Sequence, residues 1–392
     1  MAVEGFQEID YAKEDLPRVG IGLLGCGFIG QVHSNAYTKI PYTCPSPAAE
    51  PKLVALCDEV GAAEKARKFR YQGAYTDWRR MVEDPRISIF DNCTPDDTHC
   101  EPSIAAAENG KHVICEKPLA MTVDEAKRMM QAVQKAGVKS MCCHNYRFLP
   151  AVRLARELIE NGVLGRIYHF RGQYLQPYGH DPDGVIENAW YAAGTASGVL
   201  LGIGSHVIDM ARFLVGEITS LSGLTKTFNT PRKRGSSGEM EEVTADEGNI
   251  AVVEFDNGAI GALESSCVCA GRNNEFTFEV NGSKGSLAFD LEDPNHLQVC
   301  DCHIKRQELL GFANVSVTTA GHPLQIGYLP PGHNSGWENG HMHALNHFID
   351  CVVNDKPVAP YAASFEDGYK VQAVMDAIFE SSKTGKRIQL QY

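Results

Sequence analysis

The sequence predicts an α/β protein: a doubly wound parallel sheet over residues 1–145, then a C-terminal α/β domain over residues 146–392 with an open, mostly antiparallel sheet. Three observations carry this. Short apolar runs alternate with helical stretches from residue 18 to about 145, the pattern of parallel strands buried beneath helices. Beyond that, β-prone segments follow one another closely, divided by turns such as Asp256-Asn257-Gly258 and Asn281-Gly282, which is the signature of hairpins. The length, 392 residues, suits two domains rather than one.

Each element has its own reason. Arg18–Leu24 (RVGIGLL) is an apolar run ending in glycine and reads as a buried strand, with a helix following to about Lys39. Residues 40–51 hold four prolines and are expected to form a loop. Lys52–Cys57, Ile87–Cys93 and Lys111–Cys115 are further strands, and Ala62–Phe69 and Cys100–Asn109 are helices between them. Val123–Ala136 is a helix with Thr122 as N-cap and Gly137 as its stop. A helix at Ala151–Asn161 leads into β-prone segments at 166–178, 218–228, 249–256, 259–268, 275–281, 285–290 and 296–302. Helices near 341–354 and 364–384 close the chain, and the polar stretch 230–247 is expected to be a mobile loop.

Composition narrows the function. The 36 basic residues against 49 acids leave a net charge of −13, which repels nucleic-acid phosphates and anionic lipid. No apolar run approaches the ~18 residues of a membrane span. The N-terminus (MAVEGFQEIDYAKEDLP) is acidic where a signal peptide is basic and then apolar, so a cytoplasmic location is expected. Several of the thirteen cysteines, Cys57, Cys93 and Cys115 among them, sit in runs expected to be core, where a thiol acts as a small hydrophobe. Neither a disulfide framework nor a metal is expected, although Cys267/Cys269 and Cys300/Cys302 are CxC pairs.

The chemistry-bearing signal is Gly25-Cys26-Gly27-Phe28-Ile29-Gly30, a GxGxxG directly after a strand and opening a helix. Such a motif needs a tight turn at Gly25, close backbone approach to a pyrophosphate at Gly27 and close helix–strand contact at Gly30. Asp58, at the end of the next strand, would accept bonds from ribose hydroxyls and repel a 2′-phosphate, which favours NAD; Glu59 could share the role. The proline-rich stretch between them accounts for its unusually long spacing of 28 residues from Gly30.

Three further segments carry a resemblance: Thr94-Pro95, Glu116-Lys117-Pro118, and Gly204-Ser205-His206 before the apolar helix VIDMARFL. With the glycine motif they make the chain similar to the Gfo/Idh/MocA family of sugar and polyol dehydrogenases. The segments 145–152, 174–176, 206–217 and 271–274 look most like its levoglucosan dehydrogenase branch, whose broader group includes enzymes oxidising the C3 hydroxyl of glucosides. The resemblance implies a Rossmann domain followed by an α/β domain whose open sheet makes homo-oligomer contacts. It implies Lys117 between nicotinamide and substrate, His206 as acid/base, and Thr94, Pro95, His99, Glu116, Asn145 and Arg147 bordering the cofactor. The residue chemistry agrees. A lysine can hold the reacting oxygen as alkoxide charge develops, and a histidine can take the hydroxyl proton as hydride leaves.

The family usually places an Asp four residues before the His, where this chain has Gly202. Either another carboxylate (Asp181, Asp183 or Glu187) completes a reshaped pocket, or turnover is impaired. A second departure is Trp190-Tyr191, where relatives tend to carry Trp-Arg. The loop 332–341, with His333 and Trp337, and Tyr174, Gln176 and Tyr178 on the long strand, offer hydrogen bonds and stacking faces suited to a sugar. His341, His343 and His347 invite a metal reading, with 343 and 347 spaced i, i+4 on a helix, but no glutamate completes a zinc-protease motif and hydride transfer can run on Lys and His without metal. The expected activity is NAD-dependent oxidation of a secondary sugar hydroxyl. The rivals are a redox-assisted glycosidase that keeps its NAD, an inositol dehydrogenase, and a sugar- or NAD-sensing protein without turnover.

Overall fold

The computed structural model describes residues 16–186, 198–235, 238–320, 322, 324 and 328–392. The N-terminal part comprises β1 (Arg18–Leu24), α1 (Phe28–Thr43), β2 (Glu50–Cys57), α2 (Ala62–Phe69), β3 (Gly73–Tyr75), α3 (Trp78–Val82), β4 (Ile89–Asn92), α4 (Cys100–Glu108), β5 (His112–Cys115), α5 (Val123–Ala136) and β6 (Ser140–Cys142). Its six strands are all parallel and lie in the order β3-β2-β1-β4-β5-β6. This is the doubly wound order, in which ligands gather where the chain reverses direction, outside the carboxyl ends of β1 and β4. The apolar runs of β1 and β2 are buried there because helices cover both faces.

The C-terminal part follows with α6 (Pro150–Glu160), β7 (Ile167–Leu175), β8 (Val185–Ile186), α7 (Ser205–Leu214), β9 (Ile218–Lys226), β10 (Arg232–Arg234), β11 (Glu239–Glu241), β12 (Gly248–Phe255), β13 (Ile260–Ser266), β14 (Glu275–Gly282), β15 (Gly285–Asp290), β16 (His296–Asp301), β17 (Ala313–Ser316), α8 (Asn339–Val353), α9 (Phe365–Thr384) and β18 (Ile388–Gln389). Nine strands form one open sheet, β17-β16-β15-β14-β7-β13-β12-β9-β18, antiparallel except for β7 beside β13. One face packs on α6, α7 and α9 through Phe170, Phe276, Val207, Phe213 and Met375. The other leaves Leu224, Ile250, Val252 and Ile260 exposed. The chain also returns to its beginning: Met342, Leu345 and Phe348 of α8 share a core with Ile21, Tyr37 and Ile40.

Two sequence expectations need correcting. Residues 40–51 are not all loop, because α1 runs through Pro41 to Thr43 and β2 begins at Glu50. A proline in the last turn forfeits a single helical bond, so the helix survives it. Nor is 230–247 a structureless loop: β10 pairs antiparallel with β11 and parallel with β8. Buried Arg232 anchors it, donating to Glu247 at 2.8 Å and to the carbonyls of Gly179 and Asp181. Glu187 and Trp190-Tyr191 lie outside the described residues.

Candidate active site

The glycine turn is built by exclusion. Gly25 has φ +81°, and a Cβ there would sit 2.8 Å from the Cys93 carbonyl oxygen of β4. At Gly30 a Cβ would lie 2.1 Å from the Gly25 carbonyl oxygen. Gly27 differs, since a Cβ would meet nothing within 4 Å. It stands at the N-terminus of α1, where no side chain caps the first N–H groups. Open backbone and unclaimed helix-terminal donors fit a dinucleotide pyrophosphate. Phe28 projects into solvent beside this turn. Asp58 follows β2 and accepts from Cys26 N and Lys65 Nζ, both at 2.8 Å, and from Val60 N at 3.1 Å. Burial alone would raise its carboxyl, but these donors outweigh that and hold it below the usual carboxylate range. An ionised acid at the rim of the turn suits ribose hydroxyls.

At the carboxyl end of β4, Thr94 Oγ1 donates to Asn92 Oδ1 at 2.7 Å, and Pro95 leads into the next turn. His99 spans the gap to the β5 turn, with Nδ1 2.8 Å from Pro118 O and Nε2 3.0 Å from Thr94 O. A neutral imidazole donates from one nitrogen only, so His99 bonds one of these carbonyls and braces the two turns. Glu116 is buried after β5, with Oε1 3.1 Å from His33 Nε2 and Oε2 accepting from Lys117 N at 3.2 Å. Desolvation would raise its carboxyl, yet the His33 hydrogen bond and the positive charges around it hold it far down.

Lys117 Nζ reaches across to donate to Gly202 O at 2.9 Å. Gly202 lies in a π-helical turn, Leu200–Gly204, that runs directly into α7 and its second residue, His206. Such turns shift the register of the helix that follows and are frequent at functional sites. Asp246 holds the turn in place by accepting from Leu200 N at 3.1 Å; its own burial lifts its carboxyl to about 6. His206 is 5% exposed and lies 4.3 Å from the Tyr146 ring in a stacked pose, with His144 edge-on at 5.6 Å. Burial, reinforced by the charges of Lys117 and His144, pushes its imidazole well below the ordinary histidine range. It is neutral at neutral pH and can accept a proton.

The remaining wall is aromatic and amide. Tyr174 OH is 2.8 Å from Tyr146 OH and 2.7 Å from Asn274 Oδ1, which also takes a 2.6 Å bond from Gln176. Trp337 donates Nε1–H to Tyr146 OH at 3.2 Å, and its ring stacks 6.1 Å from Phe28 of the glycine turn. Trp337 thus joins the glycine turn to the aromatic wall. Asn145 is buried with its amide nitrogen unpartnered.

Several expected residues are placed otherwise. Arg147 is 2% exposed and forks onto Asp209 at 2.9 and 2.6 Å, with Phe213 beneath it. Rather than bordering a cofactor, it completes a buried ion pair whose breakage typically costs about 3–5 kcal/mol. His333 is exposed and bonded within its own turn to Pro330 O. Asp181 and Asp183 are exposed, and Asp181 Oδ1 accepts from Asp183 N at 3.0 Å. Sequence reasoning gave no role to His33, Asp91, Cys143, His144 or Tyr146. His33 was within reach, three residues past Gly30 on the same helix; the others assemble only in three dimensions.

A glycine cradle for a dinucleotide, facing a lysine and a neutral imidazole beside a polar-aromatic pocket, defines a nicotinamide-dependent alcohol oxidoreductase. Comparison with known proteins agrees. Residues 19–144 match the oxidoreductase family, NAD-binding Rossmann fold, and residues 156–390 match the C-terminal alpha/beta domain of the same family. The chain belongs to the Gfo/Idh/MocA family of oxidoreductases, whose homologues here are named dehydrogenases of sugars and polyols. It is 38% identical to levoglucosan dehydrogenase of Pseudarthrobacter phenanthrenivorans, over 94% of this chain and 97% of that protein. It is 27% identical to D-glucoside 3-dehydrogenase of Escherichia coli, over 94% and 97%. Its fold matches the levoglucosan dehydrogenase complex with NADH and levoglucosan at TM-score 0.90 and 37% identity, covering 95% of this chain and 99% of that one.

Proposed function

We propose that this enzyme oxidises a secondary hydroxyl, at C3, of a pyranose sugar, glycoside or anhydrosugar. The observation that carries this reading is the bond from Lys117 Nζ to Gly202 O, which ties the lysine to the helical run bearing His206. NAD+, if bound in the glycine cradle, would supply the acceptor for the C3 hydride. Residues 25–30 and Asp58 hold the dinucleotide, with Thr94 and Pro95 at the rim. Lys117 Nζ binds the reacting oxygen and stabilises its developing negative charge. The His206 imidazole takes the hydroxyl proton, leaving a ketone. Tyr174, Gln176 and Trp337 face the ring through hydroxyl, amide and indole groups.

Among the described residues no helix is long and apolar enough to cross a membrane. All thirteen cysteines are outside disulfides, which supports a reducing cytoplasm. The exposed apolar row Leu224, Ile250, Val252 and Ile260 supports a homo-oligomer joined through the open sheet.

A panel of glucosides, anhydrosugars and inositols, followed by NADH absorbance, tests the assignment. Net NADH formation with a pyranose is expected. Activity confined to inositols would move the substrate class. A protein that purifies with its cofactor bound and forms no net NADH while cleaving glycosides would be a redox-assisted glycosidase instead.

A further inference from the structure

Beneath the site, four side chains from four separate elements converge: His33 on α1, Glu116 after β5, Cys143 after β6 and His341 on α8. All four are buried, and their ligand atoms lie within 4.8 Å of one another. His33 Nε2 is 3.1 Å from Glu116 Oε1, 3.6 Å from Cys143 Sγ and 3.3 Å from His341 Nδ1; Cys143 Sγ is 4.0 Å from His341 Nδ1. Metal bonds of about 2.0–2.3 Å set the edges of a zinc tetrahedron at about 3.3–3.7 Å. The observed separations bracket that range.

The surroundings are those of a ligating imidazole. His33 Nδ1 is 2.9 Å from Asp91 Oδ2, which also accepts from Tyr37 OH at 2.8 Å. With a proton held at Nδ1 by that carboxylate, loss of the Nε2 proton that bonds Glu116 would direct the Nε2 lone pair into the cluster, the arrangement typical of metal-bound histidines. A network of hydrogen bonds alone would account for Asp91, His33 and Glu116. It gives the Cys143 thiol only two long contacts, 3.6 Å to His33 Nε2 and 4.0 Å to His341 Nδ1.

We propose that His33, Glu116, Cys143 and His341 form a closed structural Zn2+ site. Two nitrogens, one sulfur and one oxygen in a tetrahedron favour zinc over the oxygen-seeking magnesium and calcium. On binding, the Cys143 thiol proton and the His33 Nε2 proton that bonds Glu116 both pass to solvent, and the dication balances thiolate and carboxylate, leaving the first shell neutral. Four protein ligands leave no open position, so the metal takes no part in the chemistry. It pins α8, with Trp337 just before it, to the carboxyl ends of β5 and β6, and fixes Glu116 under the Lys117 backbone. The site is independent of which sugar is oxidised.

The full-length protein, purified without chelators or metal-affinity resin, is dialysed against Zn2+ and its metal content measured. About one Zn2+ per chain is expected in the wild type and about a tenth or less in Cys143→Ser. Asp91→Asn should weaken Zn2+ binding by about 10–100-fold while leaving all four ligands in place. Co2+ loaded into the wild type should give thiolate charge-transfer absorption that Cys143→Ser lacks, a readout that does not depend on activity. Less than about a tenth of an equivalent in wild type after dialysis would overturn the proposal, as would full occupancy in a Cys143→Ser protein of native circular dichroism.

Discussion

The start of α1 and the start of α7 are both glycine-bearing helix beginnings, and they use glycine in opposite ways. Around α1, Gly25 and Gly30 are compulsory, because a Cβ at either would collide with backbone carbonyl oxygen. Before α7, a Cβ at Gly202 would meet no atom within 4 Å, so its glycine answers to no packing need. A glycine demanded by backbone contact is a property of the fold. A glycine facing open space beside Lys117 is a property of the pocket, and it can be exchanged without disturbing the scaffold.

The largest test of this contrast lies on the α7 side. His206→Ala should lower kcat/KM by about 10²–10⁴-fold while leaving NAD+ affinity unchanged, as read by steady-state kinetics and calorimetry. The same residue sets a pH limb. Burial depresses its pKa, and Lys117, His144 and His341 press it down further against the opposing Glu116. The base therefore stays unprotonated well into acid, and kcat/KM should fall only below the ordinary histidine pKa of ~6.5. A limb at or above that pH would argue against His206 as the base.

The α1 side predicts a smaller, divided effect. Gly30→Ala should cost about 1–3 kcal/mol in denaturant unfolding, because its Cβ meets unyielding backbone. Gly27→Ala should leave unfolding unchanged and weaken NAD+ binding on the order of tenfold, ~1.4 kcal/mol. Equal destabilisation by both would erase the distinction between a packing glycine and a ligand-facing one.

Smallest is Gly202→Asp. The open space admits the side chain, and a carboxylate beside Lys117 should add one charge-assisted hydroxyl contact, raising kcat/KM about tenfold on the true substrate. No gain, or a loss, would mean that the pocket is shaped around the glycine.

Local signals were legible wherever neighbouring residues suffice. Ala62–Phe69 and Val123–Ala136 are helices at the residues expected; Thr122 accepts from Glu125 N, and Gly137 takes the left-handed cap. The short strands β3 and β6 carried too few residues for a periodic signal and exist because an adjacent strand pairs with them. Arg147 misled because its motif neighbours suggested a cofactor contact, whereas its partner Asp209 lies 62 residues further on.

By itself the sequence determined the cofactor half: a buried strand, a glycine turn and a helix start are contiguous, and backbone sterics make their meaning local. The reach of Lys117 to the turn before His206, the Trp337 wall and the buried set His33, Glu116, Cys143 and His341 were decided only by tertiary structure. Those side chains come from elements as much as 308 residues apart. Only packing α8 back onto α1 and laying the π-helical turn over the β5 end brings them within bonding distance.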